Sequence, residues 1–167
     1  MPTITEGSLT FSFGSSWTVE KYDASAFYVN HFQGLAHSKG VDIVAIDSAG
    51  QVWLIEVKDY RANPRLKSIA VFEEVATKVR DTLAGLFVVQ RRNGDALQHL
   101  AQRIKSTSEF RIALHLEQPK KHSKLYPVIV ERVNAKLKLK QAVRAVDPHP
   151  IFCEKGAMPT SCGWTVA

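Results

Sequence analysis

Cysteine is scarce in this chain: there are two in 167 residues, Cys153 and Cys162, both near the C-terminus. Two thiols cannot build the disulfide framework of a small secreted domain, and in a cytosolic chain both are expected to stay reduced. Nor do they make a zinc site alone, since two further ligands are needed and only His149 lies close in sequence. Long apolar runs are missing as well. None approaches the ~20 residues that cross a bilayer, and MPTITEGSLT at the N-terminus has neither the basic start nor the apolar core of a secretory leader. A cytoplasmic protein with no membrane attachment is the expectation. No repeat, low-complexity tract or linker interrupts the sequence, so residues 1–167 are expected to form one domain, long enough to bury a real core. There is also no recognisable helix-turn-helix or zinc finger, which leaves any targeting to loops and helices around the core or to a partner protein.

Acids are in deficit too. Sixteen Asp and Glu against 22 Lys and Arg give a net charge of +6, a balance suited to a polyanionic partner. The excess is concentrated. Between Lys120 and Arg144 lie Lys120, Lys121, Lys124, Arg132, Lys136, Lys138, Lys140 and Arg144, opposed only by Glu131. A smaller group, Arg61, Arg65 and Lys67, follows a pair of apolar runs.

Hydrophobic spacing gives the elements. SLTFSF (residues 8–13) alternates with period two and predicts a strand. Ser16 can cap a helix from about Trp17 to Phe32, where Val19, Tyr22, Ala26 and Val29 recur at three- and four-residue steps. Strands are predicted at Asp42 to Ile46 and Val52 to Lys58. Asn63-Pro64 opens a long helical region with the stripe Ile69, Phe72, Val75, Val79, Leu83 and Leu86, stopped by Asn93-Gly94. Asp95 can cap a shorter helix carrying Leu97, Leu100, Ala101 and Ile104, FRIALHL (110–116) reads as a strand, and residues 123–146 read as a basic amphipathic helix. IFCEK and GWTVA are candidate edge strands. The order predicts a mixed α/β sandwich, a central sheet with helices on its faces.

Charge intrudes where it should not. GVDIVAIDSAGQVWLIEVKDY (40–60) places Asp42, Glu56 and Lys58 in two runs otherwise rich in Val, Ile and Leu. Between them, Ser48-Ala49-Gly50 fits a three-residue hairpin loop whose last residue is left-handed, which pairs Asp47 with Gln51. Carried down the ladder, that register sets Asp42 opposite Glu56, with Cβ atoms ~5 Å apart on one face. Lys58 is two residues beyond Glu56 and shares the face, while Ile55 and Val57 point to the other. Two carboxylates so close repel unless a cation bridges them or one keeps a proton. An oxygen-seeking ion such as Mg²⁺ or Mn²⁺ answers that conflict, and Lys58 beside it can stabilise charge on a phosphoryl group or orient or deprotonate a metal-activated water. The alternative is an exposed hairpin face on which Lys58 bridges the two acids in a solvated cluster.

On these residues, Asp42 in KGVD and Glu56-Val57-Lys58 in LIEVK, the chain resembles the PD-(D/E)xK nuclease superfamily, and the element order resembles its restriction endonuclease-like core. The family's proline is replaced by Val41. The resemblance implies a metal-dependent nuclease acting most naturally on DNA. Asp42, Glu56 and the Val57 backbone carbonyl are implied as metal ligands, and Lys58 as the catalytic lysine. A helper acid on the preceding helix is implied at Glu20, with Asp23 one turn further. Tyr60, Arg61 and Arg65 are candidate phosphate contacts at the mouth of the site, and Lys78 on the next helix is a candidate assistant. His115, His122 and His149 show no partner spacing and read as structural. Cleavage of both strands of a duplex calls for two such centres, in a homodimer or with a partner protein. A nuclease-fold protein that binds nucleic acid or a protein partner without cutting is the competing expectation, as is a toxin or immunity role.

Overall fold

The computed structural model describes residues 1–35, 37–107 and 109–167. Its centre is a five-stranded mixed sheet in the order β3 (Thr18–Lys21), β4 (Ile43–Ile46), β5 (Val52–Asp59), β6 (Phe110–Glu117) and β7 (Ile151–Cys153). β3, β4 and β5 form an antiparallel meander, whereas β6 runs parallel to β5 and β7 parallel to β6. The β5-to-β6 crossover carries helices α1 (Val71–Val89) and α2 (Gln98–Lys105), and α3 (Arg132–Val143) leads into β7. No helix is long and apolar enough to cross a membrane among the described residues.

Both faces of this sheet are covered, which is why β4 and β5 read as nearly continuous apolar runs. On one face Val44, Ile46, Val52, Leu54, Ile112 and Leu114 pack against Val75, Val79 and Leu86 of α1, Leu100 and Ile104 of α2, and Leu139 of α3. On the other, Ile43, Ala45, Trp53, Ile55, Val57 and Ala113 meet Leu9, Phe11, Phe13 and Trp164. This second layer is a three-stranded antiparallel sheet, β1 (Thr3–Glu6), β2 (Leu9–Phe13) and β8 (Trp164–Val166), built from the two ends of the chain. Helices were expected on both faces. The structure instead puts them on one, and a small sheet on the other.

The helix expected at Trp17–Phe32 is a strand and two tight turns. Thr18 to Lys21 pair with Ile46 to Ile43, and the chain then makes a 3-10 turn (Tyr22–Ala24) and a π-helical turn (Tyr28–Phe32). Period two wins here because the sheet has a use for both sides of the segment. Val19 packs on the small-sheet side while Tyr22 is fully buried on the helix side. Ser25 holds the bend, its hydroxyl donating to the Tyr22 carbonyl (2.7 Å) and accepting from the Tyr28 N–H (3.2 Å). Two helices are shorter than predicted. α1 begins at Val71 rather than after Pro64, and α3 spans Arg132–Val143 within the predicted 123–146. α2 carries Leu100, Ala101 and Ile104 as predicted but begins at Gln98, with Leu97 at its N-cap position and no side-chain cap; Asp95 instead closes the turn before it, its Oδ1 accepting from the Leu97 N–H (3.0 Å).

Candidate active site

The hairpin turn places the acids. Gly50 takes φ +84°, the Asp47 N–H bonds the Gln51 carbonyl (3.1 Å), and Ile43 to Ile46 pair with Ile55 to Val52. This is the register deduced from the turn, so Asp42, one residue before β4, sits opposite Glu56. Helix α1 grips the approach to Asp42. Thr82 Oγ1 accepts from the Val41 N–H (2.9 Å) and Asp81 Oδ2 from the Lys39 N–H (3.1 Å). Gly40 must lack a side chain, since a Cβ would meet the Tyr22 ring at 2.9 Å.

The two acids are buried, Asp42 5% exposed and Glu56 0%. A solvated surface cluster is therefore not what the hairpin carries. Asp42 Oδ2 accepts from the Val57 N–H (2.6 Å), and its Oδ1 faces Lys78 Nζ at 3.2 Å. Glu56 Oε1 lies 2.6 Å from both Lys58 Nζ and Lys78 Nζ. Its other oxygen, Oε2, is buried with no hydrogen-bond partner among the described residues. Burial first, then the Asp42 charge, pushes Glu56 up to about 7 against the pull of Lys78 and Lys58. Burial works to lower both lysines, but the surrounding carboxylates outweigh it and hold Lys58 and Lys78 above the ordinary lysine value.

One more acid belongs to this cluster. Glu74 on α1 is 1% exposed and takes Lys58 (3.2 Å), Lys67 (2.5 Å) and Arg65 (3.0 Å). Burial raises it, but the three cations together bring it down to about 2. Lys58 is thus shared between Glu56 and Glu74, and the loop leading to α1 is anchored by the same carboxylate. Glu74 looks like part of a solvated helix face when only the apolar residues of the stripe are counted. Its spacing gives it away: Val71, Glu74, Val75, Lys78, Val79 and Thr82 fall at three- and four-residue steps, so Glu74 and Lys78 lie on the buried face.

The remaining candidates divide. Arg65 turns inward, its guanidinium taken by Glu74, the Tyr60 hydroxyl (2.7 Å) and the Ile69 carbonyl, so Tyr60 and Arg65 brace the loop beside Lys58. Arg61 pairs with Asp59 (2.6 Å) and Ser8 (2.8 Å) at the end of β5. Glu20 lies on β3 opposite Val44, half-buried. The carboxylates that gather at Asp42 are Asp23 and Glu6, with oxygens within 4.8 Å of one another. Burial and then Asp42 raise Asp23, while Lys21 salt-bridges both Asp23 (3.4 Å) and Glu6. Glu6 comes from β1, which no sequence signal had marked.

A cleft of about 760 Å³ opens at the carboxyl ends of the parallel strands, between Arg61, Gln118, Lys120, Arg132, Glu154 and Lys155. Gln118 shapes it by accepting from the Val130 N–H (3.3 Å) and donating to the Val130 carbonyl (2.8 Å), which pins the segment before α3.

No protein-family model matches this chain, and no solved structure matches it. A cysteine–tRNA ligase of Neisseria meningitidis (serogroup A / serotype 4A, strain DSM 15465 / Z2491) is 32% identical over 163 residues, covering 76% of this chain and 23% of the ligase. The chain therefore spans less than a quarter of the length of that relative.

Proposed function

We propose that the chain is a metal-dependent nuclease of the PD-(D/E)xK, restriction endonuclease-like type that hydrolyses phosphodiester bonds, DNA foremost. One observation carries the reading. Two carboxylates from adjacent strands are buried side by side with Lys58, and one of their oxygens, Glu56 Oε2, has no hydrogen-bond partner among the described residues. Burying such a group is costly, and a structural salt bridge has no need of it. The antiparallel pair β4–β5 followed by a helical crossover to parallel β6 adds support, since it matches the strand–strand–helix–strand part of the core that the resemblance implies, whereas the helix expected before that pair is replaced by β3 and two turns.

Asp42, Glu56 and the Val57 carbonyl would hold Mg²⁺ or Mn²⁺, with Asp23 a better-placed helper than Glu20. The fit is chemical: hard oxygen donors, one unpartnered, around a spot already occupied by a cation, the Lys78 ammonium. A bound ion there supplies Lewis-acid activation of water. Lys58 contributes charge rather than basicity. Held above the ordinary lysine value between Glu56 and Glu74, it keeps its proton and faces a phosphoryl oxygen as a cation. Lys78 neutralises the two acids, and its ammonium would compete with a divalent ion held between them.

The test incubates purified protein with single- and double-stranded DNA, RNA and tRNA, with Mg²⁺ or Mn²⁺. Cleavage should fall by about 10²–10³-fold in Asp42→Ala and in Lys58→Ala. Cleavage that survives both substitutions, or a chain that takes up no divalent ion in calorimetry, ends the reading. A second reading is favoured by the segment shared with a protein named for tRNA: a non-cutting fold that binds nucleic acid, tRNA included. Its signature is retention on tRNA or DNA, unchanged in Lys58→Ala, with no product formed.

A further inference from the structure

The cleft of about 760 Å³ at the carboxyl ends of the parallel strands lies beside the candidate active site without being part of it. Asp59 on β5 pairs with Glu117 on β6, one residue beyond Lys58 and Leu116. The floor of the cleft is therefore one strand spacing, ~5 Å, from the backbone that carries Lys58. The cleft also continues. A hollow of about 400 Å³ shares Gln118, Lys120 and Arg132 with it and runs on past His122, which makes one trench along the edge of the sheet. Arg61, Lys120, Arg132 and Lys155 line the larger part. Arg61 is taken by Asp59 and Arg132 by Glu154, whereas Lys120 and Lys155 are exposed and paired with no acid among the described residues.

One acid is set into the floor of this cationic trench. Glu117 is 8% exposed, and its Oε1 accepts from His115 Nε2 (2.9 Å) and from the Lys155 N–H (2.6 Å). An ionised carboxylate can only accept, so the ring proton is on Nε2, and Nδ1 faces the Cys153 thiol at 3.6 Å on the small-sheet side. Phe11 meets the imidazole edge-on at 5.1 Å, and a tight turn, closed by the Ala157 N–H on the Glu154 carbonyl (2.9 Å), aims the Lys155 N–H. The carboxylate is thus fixed from two sides. Its other oxygen, Oε2, has no hydrogen bond and no Lys or Arg in salt-bridge reach among the described residues, although four cations line the same cleft. An acceptor held rigid in a cleft and left to water is a place for a ligand's N–H or O–H.

We propose, taking the position of the scissile bond from the nuclease reading, that the trench holds a single nucleic-acid strand, with Lys120 and Lys155 on its phosphates and Glu117 Oε2 accepting from one of its nucleotides. The mixed lining selects this ligand. A simple anion meets repulsion from Glu117 and Glu154, while a strand offers phosphate to the lysines and a neutral donor to the acid. The cleft has the volume of a pocket for one small ligand, which suits an unpaired nucleotide rather than the breadth of a duplex. The donor is a ribose 2′-hydroxyl or a base N–H, and in either case Glu117 determines which strands are accepted.

The experiment measures binding of the full chain to fluorescein-labelled strands of about 12 nucleotides, one sequence as DNA, as RNA and as the DNA duplex, by anisotropy. A chelator is present, so nothing is cut and the result is independent of the nuclease reading, which fails separately if binding holds and no cleavage follows with Mg²⁺ or Mn²⁺. A single strand should bind more tightly than the duplex. Lys120→Ala with Lys155→Ala should flatten the slope of log affinity against log salt by ~1.4, two single-strand phosphate contacts at ~0.7 each. Glu117→Gln keeps one oxygen for His115 and Lys155 and turns the other into an amide N–H, and should weaken RNA binding by about tenfold. Losing a negative charge beside a polyanion would by itself tighten binding, so a loss is diagnostic. A loss confined to RNA identifies the 2′-hydroxyl, and an equal loss for DNA identifies a base N–H. Circular dichroism confirms that each variant is folded. Absence of binding by the native chain, a preference for the duplex, a salt slope unmoved by the two lysines, or RNA held as well or better by Glu117→Gln would overturn the proposal.

Discussion

The two buried polar clusters sit on opposite faces of one sheet and solve the problem of burial in different ways. On the small-sheet face, Glu117, His115 and Cys153 form a chain whose contacts are hydrogen bonds, and burial lowers His115 against the pull of Glu117, so the imidazole stays neutral. On the helix face, Asp42, Glu56 and Glu74 are held by charge, from Lys58, Lys78, Arg65 and Lys67. Hydrogen bonds leave little spare capacity in the first cluster. The second keeps an unpartnered oxygen and a carboxyl raised to about 7, which is the condition of a site built to take up something more.

Removing one acid from each cluster tests that contrast at its largest. Glu74→Leu strands Lys58, Arg65 and Lys67 around an apolar side chain and should cost about 3–5 kcal/mol, the usual penalty for breaking a buried ion pair. Glu117→Leu leaves the His115 N–H and one backbone N–H unpaired, a loss of about 1–3 kcal/mol. Urea unfolding of both variants measures the difference. Equal losses, or a larger one for Glu117, would remove the distinction between a charge-held and a hydrogen-bond-held cluster.

How much of this the sequence disclosed depends on how local the signal is. The hairpin was legible to the residue because Gly50 and the loop length set the register by themselves, and Asp42, Glu56 and Lys58 followed from the alternation of side chains. The segment around Val19 and Tyr22 was not, because its apolar spacing fits a helix and a strand equally well. Only the presence of a second sheet, which needs Val19 on its side, decides the matter. Glu6 and Asp23 reach Asp42 through that same packing.

Lys78 offers a smaller and sharper test. Its ammonium bridges Asp42 and Glu56, so a divalent ion has to compete with it. Lys78→Met keeps the length and removes the charge, and should tighten Mn²⁺ binding by about tenfold, equivalent to ~1.4 kcal/mol. Calorimetry reads the affinity directly. Weaker binding in Lys78→Met would mean that Lys78 supports the ion's place rather than holds it in reserve.

The smallest effect is one of pH, and the two acids of the helix face should respond with opposite signs. Glu56 is raised from 4.5 to about 7, so between those values the folded chain binds a proton that the unfolded chain has lost. Its contribution to stability is complete below pH 4.5 and disappears as the pH rises through about 7. Glu74 is lowered from 4.5 to about 2, so its contribution is complete above pH 4.5 and disappears as the pH falls towards 2. From pH 4.5 to 7 the urea midpoint of the native chain should therefore fall relative to that of Glu56→Gln, which has no proton to give up; the lowered His115 acts in the opposite sense but equally in both chains. Divalent-ion affinity should rise over the same interval, because deprotonation of Glu56 is what frees both of its oxygens for a cation. A flat affinity profile through pH 7 would show that Glu56 is already ionised, and that its buried charge is balanced by Lys58 and Lys78 alone.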